Sequence, residues 1–233
     1  PIPAGAGGNV NYLTLDCNQS AWGFTPIIGI DYRVNDKLNL AAKYEFKTRL
    51  RLKNKAASSS MLGVPVDDVL PQFADGTKVA ADIPAILTLG AQYAPIKKLR
   101  LSAGFHYYFD EQATQYASKE EKLDGGGWEV LAGAEYDITK RWTISAGWQT
   151  TNYGLGDNSK FIDDLSFVTN SNSVGFGARF QLRKKVALNM AYFKTIYKGY
   201  TRELPVAALG GAKLKEKFDR TNDVFGLGLE IDF

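Results

Sequence analysis

The sequence is poor in the residues on which most metal, redox and disulfide chemistry depends. Its 233 residues include one cysteine and one histidine, so the chain cannot form an internal disulfide bond or a His-rich metal site. No run of about 18 apolar residues occurs, which excludes a transmembrane helix. The 28 Lys and Arg residues nearly balance the 25 Asp and Glu residues, and this balance gives no indication of nucleic-acid binding.

The sequence is rich in a different signal, the alternation of apolar and polar side chains with the two-residue period of a β-strand. A mean hydropathy of −0.22 is compatible with membrane insertion, because an alternating strand carries as many polar as apolar residues. We predict nine strands and a less distinct tenth strand at the start of the sequence. The ten segments are 9–19, 22–34, 38–53, 85–95, 99–110, 128–137, 142–149, 173–182, 186–193 and 225–233.

The connections between these segments alternate between short and long. Short connections lie at 35–36, 96–98, 139–141 and 183–185, and long loops are predicted at about 54–83, 111–126, 154–172 and 199–222. This rhythm predicts antiparallel hairpins with all tight turns at one end. It is typical of outer-membrane barrels, which have short periplasmic turns and long outer loops. We therefore predict that residues 1–233 form a single all-β, antiparallel transmembrane β-barrel domain.

Aromatic residues recur just before the tight turns, at Tyr32, Tyr93, Tyr136 and Phe180. In a barrel these side chains would lie at one edge of the membrane, where aromatic belts form. The chain ends in Phe233 after an alternating segment. A terminal phenylalanine of this kind resembles the signal that the outer-membrane assembly machinery recognises.

Alternation alone is also expected of a soluble barrel that buries its apolar side. Two features favour the membrane. The predicted strands have about 10–13 residues, whereas soluble strands average about 5–6. Nine glycines fall on the polar side, where they would weaken a solvated sheet but leave space inside a barrel. We therefore predict that Leu101, Trp148 and Leu227 face lipid, and that Glu135 and Arg179 face an enclosed cavity.

The segment 82–93, with the sequence DIPAILTLGAQY, is followed by a tight turn and by LRLSAG at 99–104. Together they resemble FadL-type outer-membrane transporters of hydrophobic compounds. Segment 22–53, with PIIG at 26–29 and KYEFKT at 43–48, is similar to the versions found in Bacteroidetes-type bacteria. The closing hairpin and Phe233 agree with the same family.

The resemblance implies a 14-stranded barrel plugged by an N-terminal hatch. Long-chain fatty acids or other hydrophobic molecules would be captured outside, would enter an inner pocket and would leave sideways through the wall. Since only nine or ten strands are predicted here, we expect this chain to be the C-terminal part of the barrel, without the hatch.

Candidate site residues follow from the predicted faces. Ile27, Ile86, Leu131 and Phe193 are apolar residues on the lumen side and are candidates for lining a ligand pocket. Arg100 and Arg179 on the same side would bind a ligand carboxylate, or would instead form ion pairs that brace the lumen.

The loops supply two further groups of candidates. Met61, Leu70 and Phe73 in the first long loop would form an apolar capture surface, or would simply pack that loop. Lys194, Lys198 and Arg202 near the rim would attract carboxylates or lipopolysaccharide phosphates, or would form a solvated basic edge.

The function predicted from these observations is passive uptake of hydrophobic small molecules such as long-chain fatty acids across the bacterial outer membrane. Membrane lipid and lipopolysaccharide are the expected partners, with detergent needed in vitro, and the protein is expected to be a monomer without cofactor, metal or nucleic acid. His106 is interpreted as a polar lumen residue, and Cys17 is given no role. Two alternatives stay open, an outer-membrane barrel enzyme of the protease or lipase kind and a soluble lipid-binding barrel.

Overall fold

The computed structural model describes residues 13–60, 70–114, 125–154, 169–206 and 212–232. These residues form fourteen strands and two short 3-10 turns, and no helix among them is long and apolar enough to cross a membrane. The strands are β1 Leu13–Ser20, β2 Ile27–Arg33, β3 Leu38–Glu45, β4 Arg51–Ser60, β5 Lys78–Ala80, β6 Ile86–Ile96, β7 Leu99–Tyr108, β8 Trp128–Asp137, β9 Trp142–Asn152, β10 Ser171–Arg183, β11 Val186–Tyr197, β12 Tyr200–Val206, β13 Ala212–Phe218 and β14 Thr221–Ile231.

Nine of these strands form one antiparallel sheet in the order β14-β11-β10-β9-β8-β7-β6-β3-β2. They correspond to nine of the ten predicted segments, of which 22–34 and 85–95 alternate more loosely than the other seven. The four predicted tight turns join neighbouring strands, and side chains stabilise two of them. Asn35 Oδ1 accepts hydrogen bonds from the N–H groups of Lys37 and Leu38, and Thr139 Oγ1 accepts one from Trp142 N–H. Within the described residues β2 and β14 have a neighbour on one side only.

The apolar and polar side chains lie on opposite faces of this sheet. Directly paired residues of antiparallel strands share a face, and the register pairs Leu101 with Ala134 and Trp148 with Val174. Leu101, Trp148 and Leu227 are 38%, 43% and 79% exposed. They therefore do not form the dry centre that a soluble barrel would need.

The other face is concave and carries the polar residues and glycines. The lining of its main hollow includes Thr88, Ser102, His106 and Gln149 together with several glycines. Among the described residues the buried side chains are also mostly polar. They are Thr48, Asn54, Asp82, Thr151, Ser171, Ser173 and Thr195, against Val79, Ala85, Ala113 and Ala187. This distribution is inverted relative to a soluble protein, in which buried side chains are mainly apolar.

Aromatic side chains mark both edges of the apolar face. The four aromatics predicted for one edge, Tyr32, Tyr93, Tyr136 and Phe180, all lie on this face near the tight turns. A second group, formed by Tyr44, Phe46, Tyr107 and Phe109, lies toward the long loops, with ring centroids 4.8–6.0 Å apart. Two aromatic girdles around an apolar band are the pattern of a membrane-spanning wall.

The strand predicted from Leu38 to Lys53 is not continuous, and this prediction was wrong in that respect. β3 ends at Glu45, and among the described residues only the isolated pair of Thr48 with Ile83 lies between it and the start of β4 at Arg51. Pro26 lies opposite this break. Phe46 N–H donates to its carbonyl oxygen at 3.0 Å, but proline has no N–H to donate in return. Beyond the break, β4 pairs with β1 and β5 in a separate three-stranded sheet.

Two buried polar side chains hold this smaller sheet to the connection that follows it. The Asn54 amide donates to the carbonyl oxygen of Gln72 at 2.8 Å. The Asp82 carboxylate accepts from Arg51 Nη1 at 2.7 Å and from Leu50 N–H at 3.2 Å. Burial acts to raise the pKa of the Asp82 carboxyl, but its hydrogen bonds to Arg51, to the backbone and to Lys47 hold that pKa below its usual range.

Two segments predicted as loops contain strands. The connection 54–83 includes most of β4 and all of β5, and the connection 199–222 includes the hairpin β12–β13. These strands extend beyond the nine-stranded wall at its long-loop end. A strand outside the bilayer needs no continuous apolar face, so alternation does not reveal it.

The assignment of faces predicts that two substitutions at adjacent positions of β9 lower stability by very different amounts. Ala146 lies near the middle of the apolar face, and Ser145 lies on the polar face opposite Glu135. We expect Ala146→Arg to lower the free energy of unfolding from a bilayer by about 2–4 kcal/mol, because a charge would enter the hydrocarbon region. Denaturant titration of the protein refolded into liposomes measures this change.

Ser145→Arg is the matched control, since it adds the same side chain to the concave face beside a carboxylate. Its cost should be less than about 1 kcal/mol, as is usual for a substitution at a solvated position. An equal loss for both variants would contradict the assignment of the two faces.

Candidate functional site

Glycines on neighbouring strands form a hollow in the middle of the concave face. The register pairs Gly133 with Gly147 and Gly147 with Gly175, so three consecutive strands lack a side chain at the same height. In the adjacent row, Gly90 of β6 pairs with Gly104 of β7. Because each side chain of a sheet covers its own patch of surface, these absences create a continuous depression.

The resulting cavity has a volume of about 460 Å³. Leu131 and Phe193, two of the predicted pocket residues, both line it, and His106 lies in its wall toward the long loops. A second cavity of about 390 Å³ continues toward the tight turns and is lined by Phe193, Arg100 and Glu135. Phe193 and the three paired glycines belong to both cavities.

A carboxylate with four hydrogen-bond donors borders the hollow on its long-loop side. Glu129 Oε2 accepts from His106 Nδ1 at 2.9 Å and from the Tyr108 hydroxyl at 3.1 Å. Glu129 Oε1 accepts from Gln149 Nε2 at 2.9 Å and from Thr151 Oγ1 at 3.0 Å. The four donors come from β7 and β9, which flank β8, so this network fixes the wall at this height.

Arginine–carboxylate clusters border the hollow on its tight-turn side. Arg100 donates to both carboxylate oxygens of Asp137 at 2.8 Å and also pairs with Glu135. Arg179 donates to both oxygens of Glu230, at 3.2 and 3.1 Å. Both arginines are therefore engaged in bidentate pairs, which supports the bracing role that was one of the two predicted alternatives.

The remaining predicted site residues lie away from the hollow. Ile27 and Ile86 are on the concave face, as predicted, but both flank Glu45 near the long-loop end of the sheet. Leu70 and Phe73 are half-buried in a short turn in which Phe73 N–H donates to Leu70 O at 2.9 Å. Met61 lies outside the described residues. The structure thus brings together Leu131, Phe193 and Arg100, and separates the others from them.

Two features of the site were not predicted from the sequence. The glycines were placed on the correct face, but their common height follows only from the strand register. The hydrogen bond between His106 and Glu129 joins residues that are 23 positions apart. The length of the loop between their strands does not determine which residues of the two strands lie opposite each other, so the sequence alone does not indicate this contact. No group of three His, Cys, Asp or Glu residues suited to a metal ion occurs in the described part of the chain.

The inverted distribution of polar and apolar residues agrees with a comparison of the sequence with known families. A family model described as "Outer membrane protein beta-barrel domain" matches residues 3–180. The chain belongs to this family. It is therefore a bacterial outer-membrane protein, and the predicted fold class, an all-β antiparallel membrane barrel, is confirmed. The soluble lipid-binding barrel is excluded. No curated protein matches the chain.

Solved outer-membrane structures share the fold at low sequence identity. A FadL homologue from Pseudomonas aeruginosa has a TM-score of 0.64 and 19% identity, over 91% of this chain and 52% of its own. The toluene transporter TodX of P. putida has a TM-score of 0.56 and 16% identity, over 95% of this chain and 53% of its own. The monoaromatic hydrocarbon channel CymD has a TM-score of 0.51 and 15% identity, over 81% and 52%. The chain therefore spans about half the length of the structures that it matches.

If Arg100 braces the barrel wall, its contribution to stability should depend on its carboxylate partner. We expect Arg100→Gln and Asp137→Asn each to lower the free energy of unfolding by about 1–2 kcal/mol, because a bidentate charged hydrogen bond is lost in a partly exposed site. The double variant should lose less than the sum of the two. Denaturant titration in liposomes provides all the values of this cycle.

Lys194→Gln serves as the control, since its partner Asp223 belongs to a separate ion pair. Combined with Arg100→Gln it should give an additive loss. Additivity between Arg100 and Asp137 would argue against the brace and would favour the alternative, a ligand-binding arginine.

Proposed function

We propose that the protein carries hydrophobic small molecules across the outer membrane through the lumen of its barrel. The observation that supports this proposal is the glycine-lined hollow, which lies between two polar layers of the concave face and exposes Leu131 and Phe193. Cavities of about 300–1,000 Å³ that combine apolar walls with a few polar groups are typical of small-molecule sites. The solved structures of similar fold include a toluene transporter and a hydrocarbon channel.

Long-chain fatty acids are one class of molecule that such a path would carry. Their alkyl chains would contact Leu131, Phe193 and the exposed glycine backbone. Their carboxylate would have to compete with Glu135 and Asp137 for Arg100, and with Glu230 for Arg179. The arrangement is therefore better suited to the apolar part of a ligand than to an anionic head group.

Transport is favoured over an enzymatic role. Among the described residues, His106 forms a hydrogen bond with Glu129 only, and no serine or threonine hydroxyl bonds to its second ring nitrogen. An acyl-transfer site would need a nucleophile within hydrogen-bond reach of that nitrogen. A passive channel needs no such group.

Filling the glycine row should close the path. We expect Gly147→Leu to reduce uptake of a radiolabelled hydrocarbon such as butylbenzene by at least about tenfold, because the new side chain occupies space that a ligand must cross. A Cβ atom at position 147 would meet its nearest neighbour, Ala132 O, at 3.5 Å, so the backbone can accept the substitution. Uptake by cells lacking other routes for the compound gives the measurement.

Ala146→Leu is the matched control, because it adds a side chain one residue away on the lipid face. Its uptake should equal that of the unmodified protein when the amounts assembled in the outer membrane are equal. Normal uptake by Gly147→Leu at an equal assembled amount would refute a path through the hollow.

We further propose that the long-loop end contacts lipopolysaccharide phosphates through β13. Of the three predicted rim cations, Lys194 pairs with Asp223 at 3.1 Å, and Arg202 pairs with Glu216 and lies over the Phe218 ring at 5.2 Å. Lys198 is exposed. A larger group of exposed lysines lies on one face of the β12–β13 hairpin, where Lys213, Lys215 and Lys217 alternate along β13. Lys213 pairs with Glu203 at 3.1 Å and Lys217 with Asp219 at 2.8 Å, and both ion pairs are exposed, so a phosphate would compete with these carboxylates.

Replacing these three lysines with glutamine should weaken retention of lipopolysaccharide by the purified protein. Each charge near an anionic surface contributes about 1 kcal/mol, so a loss on the order of tenfold or more is expected in a salt-dependent binding assay. Lys140→Gln at a tight turn is the control and should have no effect. Unchanged binding by the triple variant would contradict this assignment.

A further inference from the structure

One ring nitrogen of His106 is hydrogen-bonded, and the other has no hydrogen-bond partner among the described residues. Nδ1 lies 2.9 Å from Glu129 Oε2. The carboxylate already receives hydrogen bonds from Tyr108, Gln149 and Thr151, and an ionised carboxylate can only accept. Nδ1 therefore carries the hydrogen, and in the neutral imidazole Nε2 is then a hydrogen-bond acceptor.

This acceptor is available in the wall of the hollow. His106 lines the cavity together with Gly90, Gly104 and Leu131. Among the described residues, Nε2 has no hydrogen-bond partner. The three other donors, Tyr108, Gln149 and Thr151, hold the carboxylate in place, so the ring has a fixed orientation. The same cavity is also lined by Thr88, Ser102 and Gln149 beside its apolar groups. A small number of fixed polar groups among apolar ones is the arrangement that gives a binding site its specificity.

We propose that His106 makes the channel selective for apolar molecules that carry a hydroxyl group, such as alkylphenols. This inference rests on the proposed transport function and names the substrate class of the same hollow. A hydroxyl donates to Nε2 and replaces the water that the acceptor loses when a ligand enters. A hydrocarbon leaves the acceptor unpaired, which is unfavourable.

The charges near the hollow favour a neutral ligand over an anionic one. The group that orients His106 is itself a carboxylate, Glu129, and on the opposite side Arg100 is shared between Glu135 and Asp137. The nearest lysine on the same row, Lys43, pairs with Glu45 at 2.6 Å. A carboxylate head group would approach Glu129 without a free cation among these residues, whereas a phenol would not be repelled.

The test compares uptake of three molecules of similar size, 4-butylphenol, butylbenzene and 4-butylbenzoate, at a pH of about 8, where the benzoate is ionised. We expect the unmodified protein to prefer the phenol over the hydrocarbon by roughly tenfold, the effect of one satisfied hydrogen bond. His106→Phe should abolish this preference by lowering phenol uptake and raising butylbenzene uptake, because the acceptor that pairs with the hydroxyl and is left unpaired by the hydrocarbon is gone. His106→Gln should retain part of the preference, since its amide oxygen also accepts.

Other results would overturn the inference. Equal phenol preference in His106→Phe and in the unmodified protein would exclude His106 as the selective group, and strongest uptake of the benzoate would indicate an anion site. Failure of the transport proposal is distinguishable, because uptake of all three molecules would then be unaffected by Gly147→Leu.

A second measurement does not depend on the variants. The chain has one histidine, so the ring nitrogens of a ¹⁵N-histidine-labelled sample give a single pair of signals. We expect the protonated nitrogen to be Nδ1, and the Nε2 signal to shift on addition of 4-butylphenol but not of butylbenzene. The opposite tautomer, or no shift with the phenol, would refute the proposal.

Discussion

Hydrogen bonding between neighbouring strands is the constraint on which the rest of this structure depends. Inside a bilayer no water is available to the backbone, so each N–H and C=O group of a spanning strand must bond to the next strand. The seven inner strands of the nine-stranded wall meet this requirement by pairing on both sides, and β2 and β14 pair on one side within the described residues. The same pairing fixes the direction and the height of every side chain, and the lipid-facing girdles and the concave polar face both follow from it.

The strand register places glycines that are far apart in the sequence side by side, and together they form a cavity. A glycine inside a strand loses more conformational entropy than other residues and has no side chain to pack. Here Gly133, Gly147 and Gly175 lie at one height on three strands, so their separate costs produce one continuous space. A shift of one strand by two residues would keep every glycine on the same face but would divide the hollow.

The sequence could predict the face of a residue more easily than its height or its partner. Parity along a strand placed Leu131, Phe193, Arg100 and Arg179 correctly on the concave side, because side-chain direction in a strand has a period of two. It could not reveal the break opposite Pro26, since apolar residues continue to alternate through Phe46 and Leu50 while the backbone ladder stops. The alternation of apolar and polar residues also does not reveal strands beyond the bilayer, such as β4 and β12, because no lipid requires an apolar side there.

The charged side chains on both sides of the hollow are paired largely with other residues of the same sheet. Arg100 is shared by two carboxylates, Arg179 is matched by Glu230, and Glu129 is surrounded by donors. Such clusters stabilise the sheet but leave little net positive charge for an incoming anion, and the pair of carboxylates on Arg100 makes that side weakly acidic. Because long-range attraction is then small, the proposed discrimination between molecules in the hollow would depend on short-range terms. These are the shape of the glycine depression and the hydrogen-bonding groups that remain unpaired within it, and both would act most strongly on neutral, largely apolar ligands.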